Sequence, residues 1–163
     1  MAKAVRAIPE GCRTVTPGLC IRGADRALEF YQQAFGAQVL MQMRMPNGKI
    51  GHAEVKIGDS MIFVSEEFPG MPNSPSSPDT LKGITGSLYL YLPDVDAAFD
   101  QAVKAGAKTV APVADMFWGD RCGQVQDPFG HLWWLATHKE DLTPDEMAKR
   151  QQAFFASAAK AGK

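Results

Sequence analysis

The stretch Gly86-Ser-Leu-Tyr-Leu-Tyr-Leu-Pro-Asp-Val-Asp-Ala-Ala-Phe99 reads as a strand that turns into a helix, and the chain carries the same pattern earlier, at Pro17-Gly-Leu-Cys-Ile-Arg-Gly-Ala-Asp-Arg-Ala-Leu28. Leu19, Ile21, Asp25 and Leu28 return as Leu90, Leu92, Asp96 and Phe99, an offset of about 71 residues, and Gly36-Ala37 returns as Gly106-Ala107. The ends of the two units also correspond. Gly58-Asp-Ser-Met-Ile-Phe-Val-Ser65 opens a final apolar strand much as Asp127-Pro-Phe-Gly-His-Leu-Trp-Trp-Leu135 does. A repeat of two units predicts a pseudo-twofold molecule with a site shared between its halves.

Each unit reads as βαβββ. In the first, 14–21 is β-rich, and 24–35 has helical spacing with Leu28, Tyr31 and Phe35 on one side and Gly36 as a left-handed stop. Strands follow at 37–44, 49–57 and 60–66, the first pair joined by a Pro46-Asn47-Gly48 turn. In the second, a strand at 85–92 precedes a helix at 95–105 capped by Asp94, and strands follow at 108–113, 120–126 and 131–137. The modules thus span 11–66 and 84–138, and the stretch 67–83, with its prolines and serines, reads as a linker loop long enough to have a role of its own. A C-terminal helix and tail occupy 139–163: Thr143 caps, Pro144 takes the first helical position, Glu146 completes a capping box, and fraying is expected from about residue 159.

The bulk numbers exclude several classes. A chain of 163 residues suffices for one domain with a sizeable core. With 17 basic and 18 acidic side chains and no long run of either sign, it has no electrostatic footprint for nucleic acid or an anionic membrane. The longest apolar stretches have strand length, and the first ten residues lack the apolar segment of a secretory signal, so a cytoplasmic protein with a small-molecule partner is expected. Cys12, Cys20 and Cys122 form no Cys-x-x-Cys pair and read as reduced packing thiols.

The doubled βαβββ order, Phe30-Tyr31 in the first helix, Gly106-Ala107 after the second, and Asp127-Pro-Phe-Gly-His131 before the last strand resemble the vicinal oxygen chelate superfamily. That group includes glyoxalase I, bleomycin-resistance proteins, fosfomycin-resistance enzymes and extradiol dioxygenases. The stretches Gly51-His-Ala-Glu54, Trp118-Gly-Asp-Arg121 and Ala136-Thr-His138 look more specifically like its PhnB-like branch. The resemblance implies an α+β fold in which two tandem modules curl into half-barrel sheets, with ligands on the concave faces and helices on the convex ones, often completed by pairing into a homodimer.

Strand alternation assigns the faces. Leu88, Leu90, Trp133, Leu135, Ile62 and Val64 suit the helix side, which leaves Tyr89, Tyr91, Trp134, Phe63, Ser87, Met61 and Leu132 for the hollow. Metal-dependent members draw His and Glu ligands from the first and last strand of each module, so that a divalent ion can act as a Lewis acid on neighbouring substrate oxygens. Carried onto this chain, those positions fall near Thr16, Phe63, Ser87 or Tyr89, and Trp134, and a slip of two residues yields no His, Asp or Glu either. No metal ligand and no cofactor are therefore expected, a divalent metal on an unusual ligand set being the alternative.

The remaining polar equipment supports two readings. His52 and Glu54 lie two apart on one strand and suit a general acid/base pair, or a polar strand or dimer seam. Phe117 and Trp118 could cover the cavity mouth while Arg121 holds an anionic group, or Arg121 supports the turn through an ion pair. His131 is expected to shape its turn, and His138 to lie at the surface or against a helix. In the preferred reading the chain binds a planar or apolar molecule among Phe63, Tyr89, Tyr91, Phe117, Trp118, Arg121 and Trp134. In the other it is a lyase or isomerase, metal-free through His52 and Glu54 or with a non-standard metal site. A purely scaffolding dimer is a third possibility.

Overall fold

The computed structural model describes residues 6–161, with side chains of the last helix followed through Ser157. The first module is β1 (Gly18–Ile21), α1 (Ala24–Phe35), β2 (Gln38–Arg44), β3 (Ile50–Ile57) and β4 (Ser60–Glu66), in a sheet of order β1-β4-β3-β2. The second is β5 (Ser87–Tyr91), α3 (Val95–Ala105), β6 (Lys108–Asp115), β7 (Asp120–Gln126) and β8 (Leu132–His138), in order β5-β8-β7-β6. Each first strand pairs in parallel with the last strand of its own module, and the other pairs are antiparallel. The two βαβββ modules are thus present, as two mixed four-stranded sheets that do not close.

The repeat is visible in the register. Gly18 pairs with Phe63 and Leu19 with Val64, while Tyr89 pairs with Trp134 and Leu90 with Leu135, the same partners 71 residues on. The helix starts match too. Glu66 at the end of β4 accepts hydrogen bonds from Gly23 N and Ala24 N at 3.1 and 2.8 Å, and Thr137 at the end of β8 accepts from Val95 N at 2.9 Å. Both supply an oxygen to donors that a helix leaves unsatisfied. The offset narrows to 70 in the third strand: Phe63 lies opposite Glu54, but Trp134 lies opposite Gln124, because the β7–β8 turn is longer than the β3–β4 turn.

One apolar core joins the modules. Ile21, Val55 and Val64 from the first sheet, and Val125, Trp133 and Leu135 from the second, are fully buried with the faces of α1 and α3. The helices lie against each other, and the Tyr31 and Phe35 rings of α1 reach Trp133 of β8 at 5.4 and 4.7 Å. A buried carboxylate fixes this crossing. Tyr31 Oη and Trp133 Nε1 donate to Asp127 Oδ2 at 2.8 and 3.0 Å, and Phe129 N and His131 N each donate to Asp127 Oδ1 at 2.9 Å.

Several element boundaries differ from expectation. The strand expected from residue 14 begins at Gly18, and β6 continues to Asp115. The linker is not all loop: Ser77 caps a one-turn helix, α2 (Pro78–Leu81), and accepts from Thr80 N. Glu67, buried beside it, accepts from Ser77 N, Ser77 Oγ and Thr80 Oγ1 at 3.0, 3.1 and 2.7 Å, so this part of the linker is pinned to the body. The last helix, α4 (Pro144–Ala161), opens with the expected Thr143–Glu146 capping box. It runs past residue 159, and residues 162 and 163 lie outside the described part.

Candidate ligand-binding site

On β5, Leu88 and Leu90 pack against the core, while Tyr89 and Tyr91 stand on the opposite face, 45% and 61% exposed. On β8, Trp133 and Leu135 are buried against the helices and Trp134 is half-buried on the other side. Because Tyr89 and Trp134 are direct register partners, their rings lie nearly parallel, 5.5 Å apart with 13° between planes. Tyr91 continues the row 6.1 Å from Tyr89. Burial, and then the nearby Cys122 thiol and Asp120 carboxylate, raise the Tyr89 pKa; for Tyr91, burial and the hydrogen bond to Asp120 do the same. Both phenols therefore stay protonated near neutral pH.

The first module carries Phe63 on β4 and His52 and Glu54 on β3, all half-buried on the face away from the helices. The His52 ring meets the Phe63 ring edge to face at 4.7 Å. Met41 and Met43 of β2 lie opposite Glu54 and His52 in register, partly exposed. Met61, expected in the hollow, lines a cleft beside Tyr91 but is almost wholly covered, its terminal methyl lying near Gly11 of the N-terminal segment. In the second module the places of His52 and Glu54 fall to Cys122 and Gln124, so the acid/base pair has no counterpart there.

The remaining expected residues separate. Arg121 is on the helix side of β7, where its guanidinium grips Asp96 of α3 at 2.7 and 2.8 Å and Asp115 at 3.2 Å. Those contacts raise its pKa and hold the group away from the Tyr89–Trp134 row, as strand alternation after Asp120 requires. Phe117 is covered by α4, its ring 5.3 Å from Phe154 and 6.3 Å from Phe155. Trp118 does turn toward the row, because its Nε1 donates to Asp120 Oδ2 at 3.1 Å. The 116–119 turn is thus anchored between α4 and β7 rather than standing free over a mouth.

Sequence reasoning missed the polar end of the row. Asp120, 4% exposed, accepts from Tyr91 Oη at 3.1 Å, and its other oxygen meets His138 Nδ1 at 2.7 Å. His138 Nε2 meets Asp141 Oδ1 at 3.0 Å, and its hydrogen bonds to Asp120 and then to Asp141 push its pKa up. The signal was available: residues 134, 136 and 138 share one strand face. His131, by contrast, reaches Cys20 O of β1 with Nε2 at 3.3 Å, bridging the modules beside its turn.

Two clefts of about 570 and 580 Å³ border β5, the first between it and β1 and the second between it and the β3–β4 turn, and Tyr89 lines both. One is bounded by Gly18–Cys20, Leu81 and His131, the other by Arg13, Met61 and Tyr91. The Cys20 thiol at the first cleft donates to Pro75 O, and burial, with Glu67 and Glu66 nearby, pushes its pKa up to about 11. Such a thiol is a packing group.

Residues 14–135 match the family model described as the Glyoxalase/Bleomycin resistance protein/Dioxygenase superfamily. The chain belongs to that superfamily. An uncharacterized protein of Mycobacterium bovis is 37% identical over 134 residues, 82% of this chain and 88% of that protein. Among solved structures, TioX from Micromonospora sp. ML1 superposes with a TM-score of 0.61 at 30% identity, covering 77% of this chain and 98% of TioX. A gene product of Arabidopsis thaliana gives a TM-score of 0.59 at 25% identity over 76% and 95% of the two chains.

The superfamily's metal-dependent members raise the question of a divalent ion. At the paired centres of first and last strands this chain carries Gly18 with Phe63 and Tyr89 with Trp134, which offer no carboxylate or imidazole. Divalent ions need such donors, so these positions do not fit one. Among the described residues, no group of three His, Cys, Asp or Glu side chains is arranged to hold a metal. No described helix is long and apolar enough to cross a membrane.

Proposed function

We propose that this chain binds a small, planar, partly aromatic molecule on the sheet faces turned away from its helices, without the metal centre of its metal-dependent relatives. The observation that carries the reading is the parallel Tyr89–Trp134 pair at the register centre of the second module. An exposed row of flat aromatic faces gains from covering by another flat apolar group, through area burial and stacking. Phe63, in the matching place of the first module, offers a second such surface. Trp118 belongs to the site through Asp120, while Phe117 and Arg121 serve the protein's own packing.

The site is completed in a homodimer, in keeping with the large apolar side chains Met41, Met43, Tyr89 and Tyr91 left exposed in one chain. We place the protein in the PhnB-like branch and in the cytoplasm, with neither nucleic acid nor membrane as partner. The test is a thermal-shift screen of small metabolites and antibiotics, followed by Trp134→Ala. A hit should lose at least about tenfold in affinity, the order of one lost aromatic contact. A hit bound as tightly by the variant as by the parent contradicts the reading.

A second reading, a metal-free lyase or isomerase, is favoured by one observation. His52 and Glu54 share a half-buried face, and among the described residues neither side chain has a hydrogen-bond or ion-pair partner. Groups in that state are free to move a proton to or from a ligand. Turnover that survives His52→Ala unchanged excludes it.

A further inference from the structure

The aromatic row ends on a built polar group. Asp120 is buried, and both its oxygens are engaged: Oδ2 by Tyr91 Oη and Trp118 Nε1, each at 3.1 Å, and Oδ1 by His138 Nδ1 at 2.7 Å. A carboxylate fixed in this way sets the imidazole plane and keeps a proton on Nδ1. Nε2 is therefore turned outward. Its partner in the free protein is Asp141, whose side chain is fully exposed. An exposed pair of this kind contributes little, so another acceptor oxygen can replace it at small cost.

We infer that His138 Nε2, oriented by Asp120, receives a carboxylate on a ligand whose ring lies along Tyr91, Tyr89 and Trp134, and that Asp141 holds that carboxylate's place in the free protein. The inference rests on the aromatic-row reading and adds the ligand's class, an aromatic carboxylate. The geometry is continuous, since Tyr91 both stacks on Tyr89 and shares the Asp120 carboxylate with His138. Charge is consistent as well. The hydrogen bond of His138 to Asp120, and then that to Asp141, favours the imidazolium that a carboxylate would need.

The experiment titrates the full chain with 2-naphthoate and with 2-naphthalenemethanol, which share a ring system and differ in charge, following tryptophan fluorescence. The parent should bind the acid about tenfold more tightly, as a charge-assisted hydrogen bond predicts. His138→Gln should bring the two affinities together, and Asp141→Asn should strengthen binding of the acid. Asp141→Asn leaves the buried cluster intact, so it tests the idea even if His138→Gln is poorly folded; no gain there contradicts the inference. Equal affinities in the parent, with both weakened by Trp134→Ala, overturn the inference and leave the aromatic row standing. Binding of neither probe, or binding of both unchanged by Trp134→Ala, overturns the inference and the row together.

Discussion

Asp127 and Asp120 show what single buried carboxylates do here. Asp127 receives four hydrogen bonds, two from rings on different modules, so Asp127→Ala strands Tyr31 Oη and Trp133 Nε1 in the core. The expected loss is roughly 3 kcal/mol or more, from two buried donors left unmade, read as a lower midpoint in urea; a change within error contradicts it. Asp120 works on His138. Because its folded pKa is raised, the His138 pairing contributes fully below the unfolded pKa and is lost as pH rises through the folded one. An NMR titration of the His138 ring should show a pKa above the ordinary histidine value that falls toward it in Asp120→Asn; an unmoved pKa would separate the two groups. At this scale the sequence was legible wherever a residue lay inside a strand, as Tyr89, Tyr91, Phe63 and Trp134 did. His138 lies at the surface, as expected, and Arg121 takes the ion-pair alternative of its two readings; what went unread was the Asp120–His138 pairing, because alternation was not carried through to the strand ends.

Among the elements, the last strand of each module secures the start of its own helix, through Glu66 for α1 and Thr137 for α3. Replacing Glu66 by Ala should cost about 1 kcal/mol, the usual worth of a helix cap, measured as a lower thermal midpoint. The repeat predicted that the modules would match but not this cap, since Glu66 and Thr137 are unlike residues doing one job. The linker shows the opposite case: Ser77-Pro-Asp carried a capping signal for α2 that prolines and serines around it masked. Burial alone would raise the Glu67 pKa, but hydrogen bonds from Ser77 and Thr80 and the Arg22 charge hold it below the ordinary carboxylate range. Its hold on the linker is therefore present above the unfolded pKa and lost as pH falls through the folded one. Limited proteolysis within 67–83 should accelerate in Glu67→Ala at neutral pH, and equal cleavage rates would contradict the pinning. A methyl group at Gly119, which has φ +96°, would collide with the Glu140 carbonyl, so the turn before β7 depends on glycine.

For the whole molecule, duplication gave two sheets one shared core, and the two sheet faces away from it diverged. One carries His52, Glu54 and Phe63; the other carries Tyr89, Tyr91, Trp134 and the Asp120–His138 pair. The doubled pattern was readable because hydrophobic periodicity reports burial on each module's own helix. How the modules meet was not, since it depends on contacts such as Tyr31 with Asp127 that lie far apart in the chain. The central claim is that aromatic surface serves this protein where its metal-dependent relatives use an ion. It is tested most directly by titrating 2-naphthoate into purified protein before and after exhaustive EDTA treatment, alongside Trp134→Ala. The account predicts the same affinity before and after chelation and a loss in the variant; affinity that vanishes with EDTA and returns on adding a divalent metal would contradict it.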